Sequence, residues 1–261
     1  MRAITSVIAA IAFLGRAVAG LTPSPTLTPC PQLTVVLSTG TIVPGITDTG
    51  NHADDGDTFI TLPFFVQFYN QAFVGVNVSS NGRIDFVCVN EPLGKQTQCL
   101  PASPNQCPYA YTLFPLWQNL RTDFGLSGCA SFPGGTCGIF TSISGIAPNR
   151  IFNIEWRTVL FADNSAAQNF EVRLYENDPR GFDVIYGAIN SAGADQNFVA
   201  GIQGPNGCFT QDFCANPAPV QNVLHNYVGQ AGGTPSPTPT GTPSPRSTPT
   251  PRPRPSLRPR P

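Results

Sequence analysis

Carboxylates, histidines and cysteines set the chemistry open to a chain, and here they are sparse and clustered. The densest polar run is Asn51-His52-Ala53-Asp54-Asp55-Gly56-Asp57. Asp54, Asp55 and Asp57 stand around a glycine at a spacing that lets carboxylate oxygens converge on a hard cation, and Ca2+ takes such ligands from irregular loops. The run is no EF-hand, because after Asp57 it passes into Thr58-Phe59-Ile60. The alternative is an exposed acidic loop, and calcium is the one cofactor the sequence suggests.

A second constellation is Phe114-Pro115-Leu116-Trp117-Gln118-Asn119-Leu120-Arg121-Thr122-Asp123. Trp117 followed by Asn119, Arg121 and Asp123 at a strand end can offer a stacking ring with hydrogen-bonding neighbours, the chemistry of a sugar- or protein-binding surface. The competing reading puts Trp117 in the core, with the Arg-Asp pair fixing the adjoining loop.

Catalysis finds little support. The histidines are His52 and His225. His52 beside Asp54 or Asp55 has the makings of a base and its orienter, but no G-x-S-x-G elbow accompanies it, and His225 reads as a surface residue. Glu155, Glu171 and Asp183 can supply the carboxylate pair of a glycoside hydrolase. Their alternation with Arg157 and Arg173 instead reads as a solvent-facing ladder of salt bridges, worth only tenths of a kcal/mol per pair. No catalytic residue is assigned.

Eight cysteines, Cys30, Cys88, Cys99, Cys107, Cys129, Cys137, Cys208 and Cys214, occur without any C-x-x-C spacing. An even count in a chain built for export reads as disulfides rather than zinc. Local pairs Cys129 with Cys137 and Cys208 with Cys214 would each close a short Gly/Pro-containing loop; the other four admit several connectivities.

Export is read from the first residues: Arg2, an apolar run over 7–14, then Ala17-Val18-Ala19, the small-residue pattern cut by signal peptidase. Residues 1–19 are thus a signal peptide. No later stretch is long and apolar enough to span a bilayer as a helix. Residues 20–32 are a Pro/Thr-rich spacer, and 232–261 a disordered tail rich in Pro, Thr, Ser and Arg that can extend to roughly 90 Å as polyproline II. Between them, 33–231 can bury one sizeable core. All fifteen acids lie in that core against seven of the fourteen basic residues, whereas the tail carries five arginines and no acid. An acidic core argues against nucleic-acid binding. The tail is suited to an anionic envelope polymer or to a neighbouring core.

The elements that must carry these residues are strands. Phe152, Ile154 and Trp156 alternate with Asn153, Glu155 and Arg157; Phe170, Val172 and Leu174 with Glu171, Arg173 and Tyr175; Phe182, Val184 and Tyr186 with Asp183 and Ile185. Period two over three runs predicts an antiparallel meander, its last turn at 177–181. Upstream, 58–69 reads as a strand interrupted at Pro63, 73–79 and 83–88 as a hairpin whose Asn81-Gly82 supplies the positive φ angles of a tight primed turn. Segments 109–117, 138–143 and 197–203 complete about ten strands. Residues 93–108 read as a stapled surface loop, and 219–228 as at most a helical turn or two. The fold class is all-β, an antiparallel β-sandwich with disulfide-stapled loops. Asn77-Val78-Ser79 is a formal glycosylation sequon inside a predicted strand.

The ordered set Val78-Ser79-Ser80-Asn81-Gly82-Arg83-Ile84-Asp85-Phe86, Phe114-Pro115-Leu116-Trp117 with Arg121-Thr122-Asp123, Gly138-Ile139-Phe140, Asn149-Arg150-Ile151-Phe152-Asn153-Ile154-Glu155-Trp156, Phe170-Glu171-Val172-Arg173-Leu174-Tyr175, Phe182-Asp183-Val184-Ile185-Tyr186-Gly187 and Ala200-Gly201-Ile202-Gln203 resembles the nidogen-like extracellular module and related secreted bacterial modules. The resemblance spans most of 58–203. It implies a non-enzymatic β module of adhesion, matrix or surface proteins, secreted or cell-surface and bacterial, and it transfers no catalytic residue. Three functions follow in order: a binding or adhesion module for an extracellular glycan or protein; a self-associating subunit of a fibre or sheath joined by strand addition; a secreted glycan hydrolase or its accessory domain.

Overall fold

The structure, a computed structural model, describes residues 33–69, 71–87, 98–102, 109–177, 181–190, 197–215 and 219–229. The predicted signal peptide, spacer and tail lie outside them, as do the 177–181 turn's central residues and Cys30, Cys88 and Cys107. No described helix is long and apolar enough to cross a membrane.

Among the described residues, fourteen strands form two antiparallel sheets. The first sheet is built from β1 (Thr34–Thr39), β2 (Thr47–Asp48), β7 (Leu120–Arg121), β8 (Gly138–Ser144), β9 (Ile151–Leu160), β10 (Ala167–Tyr175), β11 (Gly181–Ile189) and β14 (Val223–Val228). Its order is β1-β14-β11-β10-β9-β8-β2, with β7 also on β9. The second holds β3 (Asp57–Phe68), β4 (Gln71–Ser79), β5 (Arg83–Asp85), β6 (Thr112–Trp117), β12 (Val199–Gln203) and β13 (Phe209–Cys214), in the order β13-β12-β6-β5-β4-β3. The expected meander is β9-β10-β11. Residues 223–228, expected as a helical turn at most, are a strand because they close the sheet between β11 and β1.

Period two places Phe152, Ile154, Trp156, Phe170, Val172, Phe182 and Val184 on the inner face, where they meet Val76, Val78, Ile84, Leu113, Leu116 and Ile202 of the second sheet. Trp156 stacks on Phe170 at 4.9 Å between ring centres. Two polar tips cross this core and find acceptors: Trp156 Nε1 donates to the Ser79 carbonyl at 2.8 Å, and Tyr186 OH to the Pro115 carbonyl at 2.6 Å. Each bond satisfies a donor that would otherwise cost about 1–3 kcal/mol to bury.

The Ser80-Asn81-Gly82 turn is one residue longer than the primed hairpin expected from Asn-Gly. Ser79 pairs with Arg83, leaving three residues in the loop, and of these only Gly82 has positive φ, +73°. This is the turn-plus-bulge solution. A Cβ at Gly82 would sit 2.0 Å from the Leu116 carbonyl oxygen, so the glycine also admits the neighbouring strand. Pro63 sits in β3, the edge strand of its sheet, where the pairing register slips between Thr61 and Val66. Asn77 is buried in β4, which leaves the sequon out of reach in the folded protein.

The cysteine map is partly as expected. Cys129 and Cys137 are bonded, closing the short loop. Cys214 does not pair with Cys208 but with Cys99, 115 residues away; Cys208 is itself disulfide-bonded. The local pairing failed because β13 carries Cys214 beside the segment 98–102 that folds over the second sheet, a proximity with no trace in spacing. Of the stretch read as a surface loop, Leu100 and Ala102 are buried with Tyr109, Phe114, Trp117 and Val199 in a small core on that sheet's outer face.

The largest departure concerns the charged row of β9, β10 and β11. Expected in solvent, Glu155 and Glu171 are 2% and 0% exposed, and Arg157 and Asp183 4% each. They are covered by residues 40–46, which leave β1 at one edge of the first sheet and run across its outer face to β2 at the other. Six inter-strand steps require about 29 Å, and eight residues from Thr39 to Thr47 reach about 26–29 Å fully extended. The strap is therefore nearly taut. Its route is marked by bonds in sequence: Gly40 N to the Asn222 carbonyl, Arg173 Nη2 to the Thr41 carbonyl, Val43 N to Glu171, Gly45 N to Glu155, and Ile46 N to the Thr141 carbonyl.

Candidate functional site

The two constellations singled out in the sequence meet at the end of the sandwich where β9 runs out. The joint is built from uncharged side chains and one carboxylate, Asp55. Thr122 Oγ1 bonds to the Asn51 side chain at 2.9 Å and to the Ala53 backbone, while Asn51 Nδ2 donates to Gly56 O and Thr58 Oγ1, both at 3.1 Å. Asn81, at the hairpin tip, joins both sides: its Nδ2 donates to Asp55 at 2.8 Å and its Oδ1 accepts from Leu120 N at 2.8 Å. Ser80 is bonded to the Asp54 carbonyl and to the Gly56 backbone. The loops at 51–56, 80–82 and 118–123 are thus one rigid unit, pre-ordered as a recognition surface must be.

On this unit sit the exposed groups. Arg121 Nε donates to Asp123 at 2.9 Å, and the guanidinium carbon Cζ lies 5.8 Å from the centre of the Phe161 ring, which is 42% exposed. The Arg121 guanidinium is held above its ordinary pKa first by its hydrogen bond to Asp123, and Asp54 adds to the same pull. Phe124, 62% exposed, stacks on the His52 ring at 3.7 Å. His52 is fastened by the Cys137 carbonyl at 3.0 Å and by Asp48 at 2.9 Å. Asn119 is half-buried, and its carbonyl accepts from Phe161 N, which brings Phe161 to the site. Aromatic faces beside a guanidinium-carboxylate pair and carboxamides can stack against the apolar face of a ring while exchanging hydrogen bonds with its hydroxyls.

Trp117 is elsewhere. It is 1% exposed, packed edge-on against Tyr109 at 5.5 Å and tilted against Phe114 at 5.1 Å, in one cluster with Leu100 and Ala102. The stacking role expected of it passes to Phe124 and Phe161. Sequence reasoning overlooked both: Phe124 shows only as an apolar residue before a glycine turn, and Phe161 lies far along the chain.

Asp54, Asp55 and Asp57 do not converge; no three His, Cys, Asp or Glu side chains among the described residues could hold a metal. Asp55 faces Asn81. Asp57 turns toward the second sheet, 3.7 Å from Arg83, and burial raises its pKa against the pull of that arginine. Arg83 is fully buried and also holds Asp85 at 2.6 Å, under the Tyr109 ring. His225, expected at the surface, is 7% exposed and bonded to Asp212 at 2.6 Å, which Tyr227 also contacts.

A family model described as "NIDO related" matches residues 32–231, and the chain belongs to that family. The match covers the whole sandwich and agrees with the nidogen-like resemblance of its strands. No curated protein and no solved structure matches the chain. Family and disulfides together define an extracellular binding-type module.

Proposed function

We propose that the protein is a secreted, non-enzymatic adhesion module of a bacterial surface that binds an extracellular glycan at the loop end bearing Asn119, Arg121, Asp123, Phe124 and Phe161. The observation that carries this reading is the pairing of exposed aromatic rings with a prefastened Arg121-Asp123 pair on one rigid unit. The glutamates a hydrolase would use, Glu155 and Glu171, are engaged with the strap's backbone instead. The test is a glycan and matrix-protein array probed with the mature chain, then with Arg121→Ala and Phe124→Ala. Glycan binding lost in both variants at unchanged Tm is expected. Binding indifferent to both variants, or confined to proteins, overturns it.

One observation favours a second reading, a subunit of a fibre or sheath. The edge strand β3 contains a single charge, Asp57, and exposes Phe59 and Phe65 beside Val74 of β4, with little of the lysine that usually guards an edge. Growth of light scattering with concentration, abolished by Phe65→Lys, supports that reading; a concentration-independent monomer removes it.

A further inference from the structure

The strap is held by unusual partners. A chain crossing a sheet at right angles to the strands cannot join their ladder, so its amides need side-chain acceptors. Here those acceptors are two buried glutamates that stand directly opposite each other, Glu155 on β9 and Glu171 on β10. Val43 N reaches Glu171 Oε2 and Gly45 N reaches Glu155 Oε2, both at 2.8 Å. Like charges directly opposed on neighbouring strands are destabilising, and covering them removes the water that would screen them.

We infer that residues 40–46 form a proton-coupled strap: closing it over the first sheet takes up a proton at Glu171, and losing that proton loosens it.

The groups facing Glu171 can be named from each side. On its own strand lie Arg173, whose Nε donates to Oε1 at 2.7 Å, Asn169 and Tyr175. Across β9 stand Glu155 and its partner Arg157, which donates to Glu155 Oε2 and to the Gly45 carbonyl. Across β11 are Ile185, opposite Glu171, and Asp183, which is bonded to Tyr175 and to Asn226 of β14. The strap itself, Thr41-Ile42-Val43-Pro44-Gly45, contributes no ionisable side chain. Burial pushes the Glu171 carboxyl up to about 7, overcoming the Arg173 and Val43 hydrogen bonds that favour its anion, with Glu155 adding to the rise.

Lifting the strap returns water to that carboxyl and with it the ordinary value near 4.5. The closed form thus binds the proton more tightly than the open one. By linkage, acid closes the strap and alkali loosens it, by at most about 300-fold across the window from 4.5 to about 7. The acidic direction runs opposite to ordinary acid loosening of carboxylate contacts.

Fit at the strap is otherwise snug without being covalent. Gly45 admits no side chain, since a Cβ would lie 2.5 Å from Phe140 Cβ, and Gly187 makes room for Ile42. Opening would bare an extended row of carboxylates, guanidinium groups and amides suited to another extended backbone.

The test is amide hydrogen exchange on the full secreted chain, read by mass spectrometry and corrected for intrinsic rates at pH 5.5, 6.5 and 8. Protection of the Val43 and Gly45 amides should fall about tenfold or more from pH 5.5 to 8 while β9 and β10 keep theirs. In Glu171→Gln, whose carboxamide stays neutral, the strap should remain protected throughout. Flat protection in the wild type overturns the inference regardless of whether the variant folds, as does a pH-dependent fall that persists in Glu171→Gln.

Discussion

Both outer faces of the sandwich are covered, by opposite means. Over the second sheet lies an aromatic and aliphatic cover, Leu100, Ala102 and Tyr109 on Phe114, Trp117 and Val199. It is tied covalently through Cys99-Cys214 and by Gln203 and Gln211, which accept from the Ala102 and Leu100 amides at 2.8 and 2.9 Å. Over the first sheet the strap presents backbone to charges and has no covalent bond along 40–46. The difference teaches that polar residues on an outer strand face can be buried either way. Apolar packing with a disulfide makes a permanent lid, whereas charge-to-amide bonding makes a cover whose hold depends on protonation.

The comparison breaks first at the covalent side. Cys214→Ser, paired with Cys99→Ser to avoid a stray thiol, should cost about 4–5 kcal/mol, because the bond closes a loop of 115 residues; denaturant unfolding would show it, and a loss below about 1 kcal/mol would mean the apolar lid holds alone. Next comes Arg157→Ala, which leaves Glu155 buried without its 2.7 Å cation and should cost about 3–5 kcal/mol. Gly45→Val overpacks the strap against Phe140 and should cost about 1–3 kcal/mol, with exchange protection lost at 41–46 but kept at 98–102. If that variant loosened both covers together, they would not be independent.

Smaller effects sharpen the picture. Since the folded-state value of Glu171 is raised, its contribution to stability is full below its free value near 4.5 and is lost as pH rises through about 7. Glu171→Gln should therefore flatten the stability-pH profile over that window, by about 1.4 kcal/mol per tenfold of proton affinity forfeited. Arg121→Ala removes only a half-exposed pair and should change stability by less than about 1 kcal/mol while abolishing ligand binding. EDTA should leave Tm unchanged, because Asp55 and Asp57 already face Asn81 and Arg83; a fall of several degrees would restore calcium to the loop.

Much was legible because it was local. Alternation in 151–160, 167–175 and 181–189 assigned each residue to a face, and the glycine-rich 129–137 loop pointed to its own disulfide. Asn119, Arg121 and Asp123 were recognisable as a polar cluster at a strand end. Trp117 looked like their natural stacking partner, yet it points the other way, since the strand's twist and the lid decide which ring faces solvent.

Period two is a property of the backbone, so the amino-acid sequence by itself determined the all-β class, the meander and the residues that share each face. It could not say what lies above a face. Residues 40–46 have no period to read, because a strap crossing strands at right angles is shaped by distance and by the carboxylates beneath it. The Cys99-Cys214 bond and the meeting of the 51–56 and 118–124 loops likewise join residues far apart in the chain. Only the tertiary structure placed Glu155 and Glu171 under cover, and that burial turns a row read as surface salt bridges into a proton-sensitive latch.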